Sequence, residues 1–407
     1  MVMERLLRLM AEKNASDLFL APGSPIQLKI NGTTYPVNQQ RLDSGNVVAL
    51  LREIVDDERW AVFEAERELN FSHAISDVGA YRINLFRQRG SAACVIRFIP
   101  NQIPTLDSLH LPPVLGELIM EKRGLLLVVG ATGSGKTTSL AAMIEHRNGL
   151  RSGHILTLED PIEFSFRSRR SIVSQREIGT DTASLEIALK NAMRQAPDCI
   201  LIGEIRDTAS MSAALAYAQS GHLVLATLHA NNANHALNRI VSFYTPENRR
   251  VLLSDLSATL RAVVSQRLIR SVDGGRLPAV EVLLNTRHIA ELIEAGQLTE
   301  VKEAMEQSLA AGSCTFDHAL AQLYRENRIA REDALANADS PTNLLWMLEN
   351  DGGHSMSAPR PAASEAAPAR TDVVPPAIAS AALGIPGKND ADGKAGSPSF
   401  SEFLLNI

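Results

Sequence analysis

The stretch at residues 125–138 constrains this chain most, because an apolar run there leads directly into the pattern Gly-x-x-x-x-Gly-Lys-Thr. Glycines let the backbone approach a phosphate closely, and the loop N–H groups together with the positive end of the following helix bind the anion. Lys136 adds a charge for the outer phosphates, and Thr137 offers a hydroxyl to Mg²⁺. The predicted nucleotide-binding residues are Gly130, Ala131, Thr132, Gly133, Ser134, Gly135, Lys136, Thr137 and Thr138.

Apolar patterns divide the chain into three regions. Alternating apolar residues within residues 1–103 predict a small α/β domain with hairpins, one of them turning at Asn31-Gly32. Residues 104–350 contain continuous apolar runs, which are typical of parallel strands buried on both faces, and a mostly helical pattern after about residue 246. Residues 351–407 are rich in Pro, Ala, Ser and Gly, and we expect a disordered tail. The continuous runs are Leu125–Val129, Ile155–Leu158, Cys199–Ile202 and Leu223–Leu228.

Composition argues against several classes of protein. The net charge of −6 argues against a nucleic-acid motor, which needs a basic surface. Cys94, Cys199 and Cys314 are far apart and odd in number, so we expect neither a disulfide framework nor a zinc site. No apolar run reaches the roughly 18 residues of a membrane span, and the N-terminus lacks the apolar core of a signal peptide. We therefore expect a cytosolic protein.

Carboxylates follow the second of these runs, at the end where a parallel α/β sheet collects its active site. Glu159, Asp160 and Glu163 belong to the segment Glu-Asp-Pro-Ile-Glu-Phe. Their side chains could hold the waters of Mg²⁺ or polarise an attacking water. A solvated turn around Pro161 is the alternative, but the phosphate loop and the buried strand favour a functional role.

The next two runs also end in polar residues. Gly203 stands where an aspartate would normally bind Mg²⁺, and Glu204 follows it as a candidate general base for water. The metal would then depend on Thr137, the nucleotide and water. His222 and His229 flank a strand of about six residues, so they cannot act as a joint metal pair. His229 falls at the nucleotide end and suits a γ-phosphate sensor, whereas a structural role for His222 is equally compatible with the pattern.

Phosphoryl transfer also requires cations that stabilise the developing charge. Arg82 alternates with apolar neighbours on one predicted strand, and Arg97 lies on the next. On one small sheet these arginines could form a basic patch directed at the nucleotide of a neighbouring subunit. A solvated charged face remains the alternative on the pattern alone.

The order of the motifs carries more information than any one of them. The phosphate loop, Glu-Asp-Pro-Ile-Glu-Phe, Gly-Glu-Ile-Arg-Asp and Gly-His…Thr-Leu-His resemble the Walker A, Asp box, Walker B and His box of type II/IV secretion and type IV pilus ATPases. The resemblance covers roughly residues 1–350. A four-cysteine site and a long N-terminal region are absent, which favours the retraction branch, the PilT/PilU family. Residues 287–294 keep only the apolar positions of the PilT signature Ala-Ile-Arg-Asn-Leu-Ile-Arg-Glu, while residues 227–234 are PilU-like.

This resemblance implies a PAS-like α/β N-terminal domain over residues 1–103 and a RecA-like ATPase domain with a mainly parallel sheet and a helical C-terminal region over residues 104–350. It further implies a homo-hexameric ring with ATP and Mg²⁺ between subunits. Glu163 and Glu204 match the acids of the Asp box and Walker B motifs, and the resemblance supports Arg82 and Arg97 as the arginines that reach the nucleotide.

The leading hypothesis from the resemblance is an ATP-hydrolysing motor that powers type IV pilus retraction and twitching motility. The PilU-like segments favour an accessory to a principal, PilT-like ATPase. Its expected partners are that ATPase and the inner-membrane platform protein of the pilus, through which alone it would contact the membrane. The alternatives are an ATP-binding regulatory subunit with little hydrolysis of its own, and a type II secretion or pilus assembly ATPase.

Overall fold

The computed structural model describes residues 1–30, 32–75, 77–100 and 103–350. Within these ranges, Met1–Glu349 belong to one structural unit that contains two β-sheets. The tail predicted for residues 351–407 and Asn31 of the predicted turn lie outside the described residues. The helices that are described include none with the length and apolarity needed to span a bilayer.

The first sheet is antiparallel and lies within residues 17–100. Its strands are β1 (Asp17–Leu20), β2 (Gln27–Ile30), β3 (Thr33–Pro36), β4 (Glu68–Ile75), β5 (Gly79–Gln88) and β6 (Ser91–Pro100). They are hydrogen-bonded in the order β3-β2-β1-β6-β5-β4. Tyr81, Ile83 and Leu85 on β5 point into the core, as their alternation predicts. The accompanying helices are α1 (Val2–Glu12), α2 (Ser44–Leu51) and α3 (Asp57–Glu66).

The second sheet positions the candidate site. Its strands are β7 (Gly124–Val129), β8 (Gly153–Glu159), β9 (Ser171–Glu177), β10 (Cys199–Ile202), β11 (Leu223–Leu228), β12 (Leu260–Arg270) and β13 (Arg276–Leu284). The order is β13-β12-β7-β11-β10-β8-β9, and every pair except β12 with β13 is parallel. The four predicted apolar runs form β7, β8, β10 and β11, so the prediction of a mainly parallel sheet is confirmed.

Helices cover the faces of this sheet and follow it to the end of the described chain. They are α4 (Val114–Leu118), α5 (Lys136–Leu150), α6 (Leu185–Ala192), α7 (Thr208–Gln219), α8 (Ala233–Ser242), α9 (Arg249–Thr259), α10 (Arg287–Ala295), α11 (Val301–Glu306), α12 (Phe316–Arg325), α13 (Arg331–Ala336) and α14 (Pro341–Asn350). Side-chain caps begin several of them: Ser184 starts α6, Asp207 starts α7 and Asn232 starts α8. The last five helices form the helical C-terminal region.

The expectation of a mostly helical pattern after residue 246 is wrong for residues 260–284, which form β12 and β13. β12 lies beside β7 inside the sheet, and Ala262–Gln266 are buried. Ser265 and Gln266 interrupt the apolar run there, so the sequence lacks the continuous apolar pattern that predicts a buried strand. The structure tolerates these polar residues because both side chains find hydrogen-bond partners in other elements.

Candidate nucleotide-binding site

The phosphate loop connects the end of β7 to the start of α5 at the carboxyl edge of the second sheet. Gly135 has a φ of +88°, and a Cβ built on it would lie 2.7 Å from Gln266 Nε2. A side chain here would therefore be strained and would collide with β12. The free N–H groups of the first turn of α5 lie immediately after this glycine, and such groups can bind an anion.

Lys136 is buried at the start of α5, and its Nζ donates hydrogen bonds to the carbonyl oxygens of Gly130 (2.8 Å) and Ala131 (2.9 Å). Burial lowers the pKa of this ammonium, while the negative charges of Glu204 and Glu163 oppose that shift. A phosphate would add favourable charge at this point. The loop thus has the charge and the backbone donors that fit a polyphosphate.

A cavity of about 730 Å³ lies in front of the loop. Of the residues predicted for the site, its lining includes Thr132, Gly133, Gly135, Lys136, Thr137, Thr138, Glu163, Glu204, His229 and Arg97. Ala131 and Ser134 line a second cavity of about 340 Å³ that shares Thr132 and Gly133 with the first. Gly130 and Arg82 line neither of these two cavities. The Ser134 hydroxyl is buried without a hydrogen-bond partner among the described residues.

Glu204 and His229 meet because β10 and β11 are adjacent parallel strands that end at the same edge of the sheet. Glu204 Oε1 lies 3.2 Å from His229 Nε2, and Glu204 Oε2 accepts a hydrogen bond of 2.7 Å from Arg206 Nε. That bond raises the pKa of the Arg206 guanidinium, which stays charged. His222 lies at the opposite end of β11, where its ring contacts Tyr217.

The glycine before Glu204 has a steric reason. A Cβ on Gly203 would lie 3.0 Å from the carbonyl oxygen of Leu158 and 3.4 Å from Glu159 Cα. β8 and β10 approach each other closely at this point, and Gly203 N donates to the same Leu158 oxygen at 2.8 Å. Any side chain at position 203, including the aspartate that usually binds Mg²⁺, would require these strand ends to shift by a few tenths of an ångström, so the close approach favours glycine.

The acids after β8 separate into two kinds. Glu159 is buried and accepts hydrogen bonds from Thr157 Oγ1 (2.6 Å) and Gln175 Nε2 (3.1 Å). Burial raises the pKa of this carboxyl above its ordinary value. Glu159, Asp160 and Glu163 all line the cavity, but Asp160 and Glu163 are exposed whereas Glu159 is not. Glu159 therefore holds the strand end together at the cavity wall, while the exposed carboxylate of Glu163 is free to meet groups that enter the cavity.

The two predicted arginines are direct cross-strand partners on β5 and β6. Arg97 Nε donates to Asp17 Oδ1 at 2.9 Å, and the Arg97 side chain is 64% exposed. Arg97 lines the cavity of its own chain, although the sequence predicted a patch directed at the nucleotide of a neighbour. Arg82 lies on the neighbouring strand β5 and does not line this cavity.

Several residues that line the two cavities were missed at the sequence level, and two of them make informative contacts. Gln266 on β12 is buried, and its Oε1 accepts a hydrogen bond of 2.7 Å from Ser139 Oγ on α5, which fixes the helix behind the phosphate loop. No sequence signal indicated it, because β12 itself was not predicted. Arg206 was visible next to Glu204 in the motif, and its adjacency to the candidate base is the signal that could have identified it.

The side chains at the cavity can be compared with the ligands that Mg²⁺ requires. Among residues 1–30, 32–75, 77–100 and 103–350, no group of three or more His, Cys, Asp or Glu side chains is arranged to hold a metal ion. Thr137 Oγ1 is a hard oxygen donor beside Lys136 at the cavity. This chemistry fits Mg²⁺ that arrives with a nucleotide, since phosphate oxygens and water would supply the remaining ligands.

Known proteins of similar sequence include pilus ATPases. The profile of the family described as "Type II/IV secretion system protein" matches residues 2–321. The type IV pilus ATPase PilU of Pseudomonas aeruginosa is 46% identical over 88% of this chain and 95% of its own length. The type IV pilus retractation ATPase PilT of the same organism is 38% identical over 83% of this chain and 98% of its own.

The fold is likewise similar to a solved structure. The crystal structure of the pilus retraction motor PilT with bound ADP superposes with a TM-score of 0.80 at 36% identity. The match covers 85% of this chain and 99% of that one. At that coverage the similarity extends over most of the residues that the structure describes.

Proposed function

Because this chain belongs to the type II/IV secretion system protein family and to its PilT/PilU branch, we propose that it is an ATPase that powers retraction of a type IV pilus. The observation that carries the proposal is the convergence of Lys136, Glu204 and His229 on one cavity at the carboxyl edge of a parallel sheet. ATP hydrolysis requires a phosphate anchor, a base for water and a cationic group near the transferred phosphoryl group. One cavity provides all three, because Arg97 also lines it and is a cation.

Each group has a distinct task in the proposed reaction. The phosphate loop and Lys136 bind the polyphosphate, and Thr137 would hold Mg²⁺, whose charge supports the developing negative charge of the phosphates. Glu204 accepts the proton of the attacking water. Its carboxylate is held by Arg206 and His229, and each oxygen keeps a second lone pair for that water. Glu163 orients water or metal ligands, and Arg97 supplies positive charge from the first sheet.

The assembly and cellular setting form the finer part of the proposal. We infer a homo-hexamer at the cytoplasmic base of the pilus machine, in contact with its inner-membrane platform protein. The 46% identity to PilU supports an accessory motor that acts with a PilT-like ATPase. In a ring, changes of contact at one subunit's nucleotide can be passed to the next subunit.

A second candidate is a regulatory subunit that binds ATP but hydrolyses little of it. One observation favours it: where the PilT signature has its two arginines and its asparagine, the stretch 287–294 has Ile289, Ile293 and Ala290. Ile289 and Ile293 are buried on α10, so apolar packing replaces polar side chains at these positions.

Steady-state ATPase activity of the purified full chain and of Glu204→Gln separates the two candidates. We expect the substitution to reduce turnover by roughly 100-fold or more while nucleotide binding is kept, because only the base is removed. Glu186→Gln, at an exposed position on α6, is the matched control and should retain activity. Light scattering with ATP measures whether a hexamer forms. Equal background rates in wild type and Glu204→Gln would contradict the independent motor and support the regulatory subunit.

A further inference from the structure

Glu177 ends β9, the outermost strand of the second sheet, and it is 5% exposed. It stands in register with Glu159 at the end of β8. Glu177 Oε1 accepts a hydrogen bond of 3.0 Å from Thr180 Oγ1. A buried carboxylate at the edge of the active-site sheet needs further donors to remain stable, and these come from two separate parts of the fold.

The second carboxylate oxygen joins those parts. Glu177 Oε2 accepts a hydrogen bond of 2.9 Å from Ser72 Oγ on β4, which belongs to the first sheet. The same oxygen accepts one of 3.1 Å from the backbone N–H of Ile162. Ile162 immediately precedes Glu163, whose side chain lines the nucleotide cavity. A single oxygen atom therefore connects the N-terminal sheet to the loop that carries a candidate catalytic acid.

Ser72 also belongs to the row that contains the arginines. On adjacent strands Ser72 pairs with Arg82, Arg82 with Arg97, and Arg97 with Asp17. Residues directly opposite each other place their side chains on the same face of a sheet. The row Asp17–Arg97–Arg82–Ser72 thus runs across one face of the first sheet and ends at Glu177. A rigid movement of that sheet would move the arginines and the Ser72 hydroxyl together.

We propose that Glu177 is a positioning residue that couples the placement of the loop 160–164, and thus of Glu163, to the position of the arginine-bearing first sheet. If the sheet rotates away, Glu177 Oε2 loses the Ser72 donor, and a buried acceptor shared with Ile162 rearranges. A buried carboxylate oxygen that loses one of its two donors is less well stabilised, so loop and sheet favour the same arrangement. The inference rests on the proposed function for the roles of Glu163 and Arg97, but the coupling itself can be measured without turnover.

Amide hydrogen exchange of the full chain with Ser72→Ala tests the coupling directly. The substitution removes one hydroxyl from the first sheet and leaves Glu177 in place. We expect exchange in residues 160–164 to rise about fivefold, the effect of losing a hydrogen bond of typical strength. Ser91→Ala is the control, since its hydroxyl contacts Ser44 within the same part of the fold. Exchange of residues 160–164 that is the same in Ser72→Ala as in wild type would overturn the proposal.

Steady-state kinetics then test the link at the site. Glu177→Met keeps the side-chain length and removes both acceptors, and we expect kcat to fall about tenfold with KM within about twofold. Glu177→Gln keeps one oxygen and should restore most of the rate. Adding Ser72→Ala to Glu177→Met should not lower kcat any further, since both substitutions remove the same hydrogen bond between Ser72 and Glu177. Multiplicative losses in the double variant would refute the coupling.

The two tests fail independently. An inactive wild-type protein would remove the proposed ATPase function and leave the hydrogen-exchange result fully interpretable. An active protein in which Ser72→Ala leaves the loop unchanged would remove only the coupling through Glu177. If Glu177→Met does not fold, Ser72→Ala still decides the question, because its substitution is at a half-buried position and removes only an oxygen.

Discussion

Glu281 offers a sharp test of how burial controls charge in this fold. It lies on β13, is 3% exposed, and its Oε1 accepts hydrogen bonds from Ala233 N (2.7 Å) and Ser265 Oγ (3.0 Å). Burial raises the pKa of the carboxyl to about 7, with its two hydrogen bonds working in the opposite direction. Ala233 begins α8, just beyond the segment that carries His229. The carboxyl therefore anchors the chain that leaves the nucleotide site.

The sign of the pH effect follows from this shift. The folded chain holds the proton up to about pH 7, whereas the unfolded chain loses it near the ordinary value of 4.5. Folding stability therefore falls as pH rises through that window. At about 1.4 kcal/mol for each unit of pKa the full loss is about 3 kcal/mol, and most of it falls between pH 5 and pH 8. Above the folded pKa no further loss is expected.

Glu281→Gln removes the titration and keeps the oxygen that accepts both hydrogen bonds. We expect the difference in unfolding free energy between variant and wild type to shift by about 2–3 kcal/mol in favour of the variant from pH 5 to pH 8. Urea unfolding at both pH values measures it. Glu306→Gln, an exposed change on α11, is the control and should show no such shift. Parallel pH profiles for Glu281→Gln and wild type would refute the argument.

Two further substitutions test the site. Lys136→Met removes the loop cation, and we expect the Kd for ATP to rise roughly 10- to 100-fold, as calorimetry would measure; an unchanged Kd would contradict the phosphate role. Gly203→Ala places a Cβ 3.0 Å from the Leu158 oxygen, so we expect a loss of about 1–3 kcal/mol in thermal unfolding and reduced kcat through displacement of Glu204. The control is Gly149→Ala on α5, where a Cβ meets open space, and it should preserve both thermal stability and kcat. A Gly203→Ala variant with wild-type stability would rule out the crowding.

Much of the second sheet could be predicted because its central strands are buried on both faces. A strand in that position must be apolar throughout, so Leu125–Val129 and Leu223–Leu228 are visible as short apolar runs. The proximity of Glu204 and His229 then follows from one rule, that parallel neighbours end at the same edge. The phosphate loop is recognisable for a similar reason: close approach of the backbone to a phosphate requires its glycines, and the phosphate charge requires Lys136, all within a few consecutive residues.

β12, β13 and β9 could not be predicted in this way. β12 carries Ser265 and Gln266 inside the sheet, and their burial is acceptable only because Glu281 and Ser139 lie opposite them. Those partners are 16 and 127 residues away in the chain. A local sequence pattern does not show hydrogen bonds between separate segments. The polar residues Ser265 and Gln266 therefore argued against a buried strand at this position.

The amino-acid sequence by itself determined the phosphate loop, the order of the motifs and the central parallel strands, because each depends on chemistry within a few consecutive residues. Only the tertiary structure decided that Glu159 is buried at the cavity wall while Glu163 is exposed there, and that a side chain at position 203 would crowd the end of β8. It also decided that Glu177 joins Ser72 to the loop before Glu163. These properties depend on contacts between segments that are separate in the chain, and a local sequence pattern does not show which segments will be in contact.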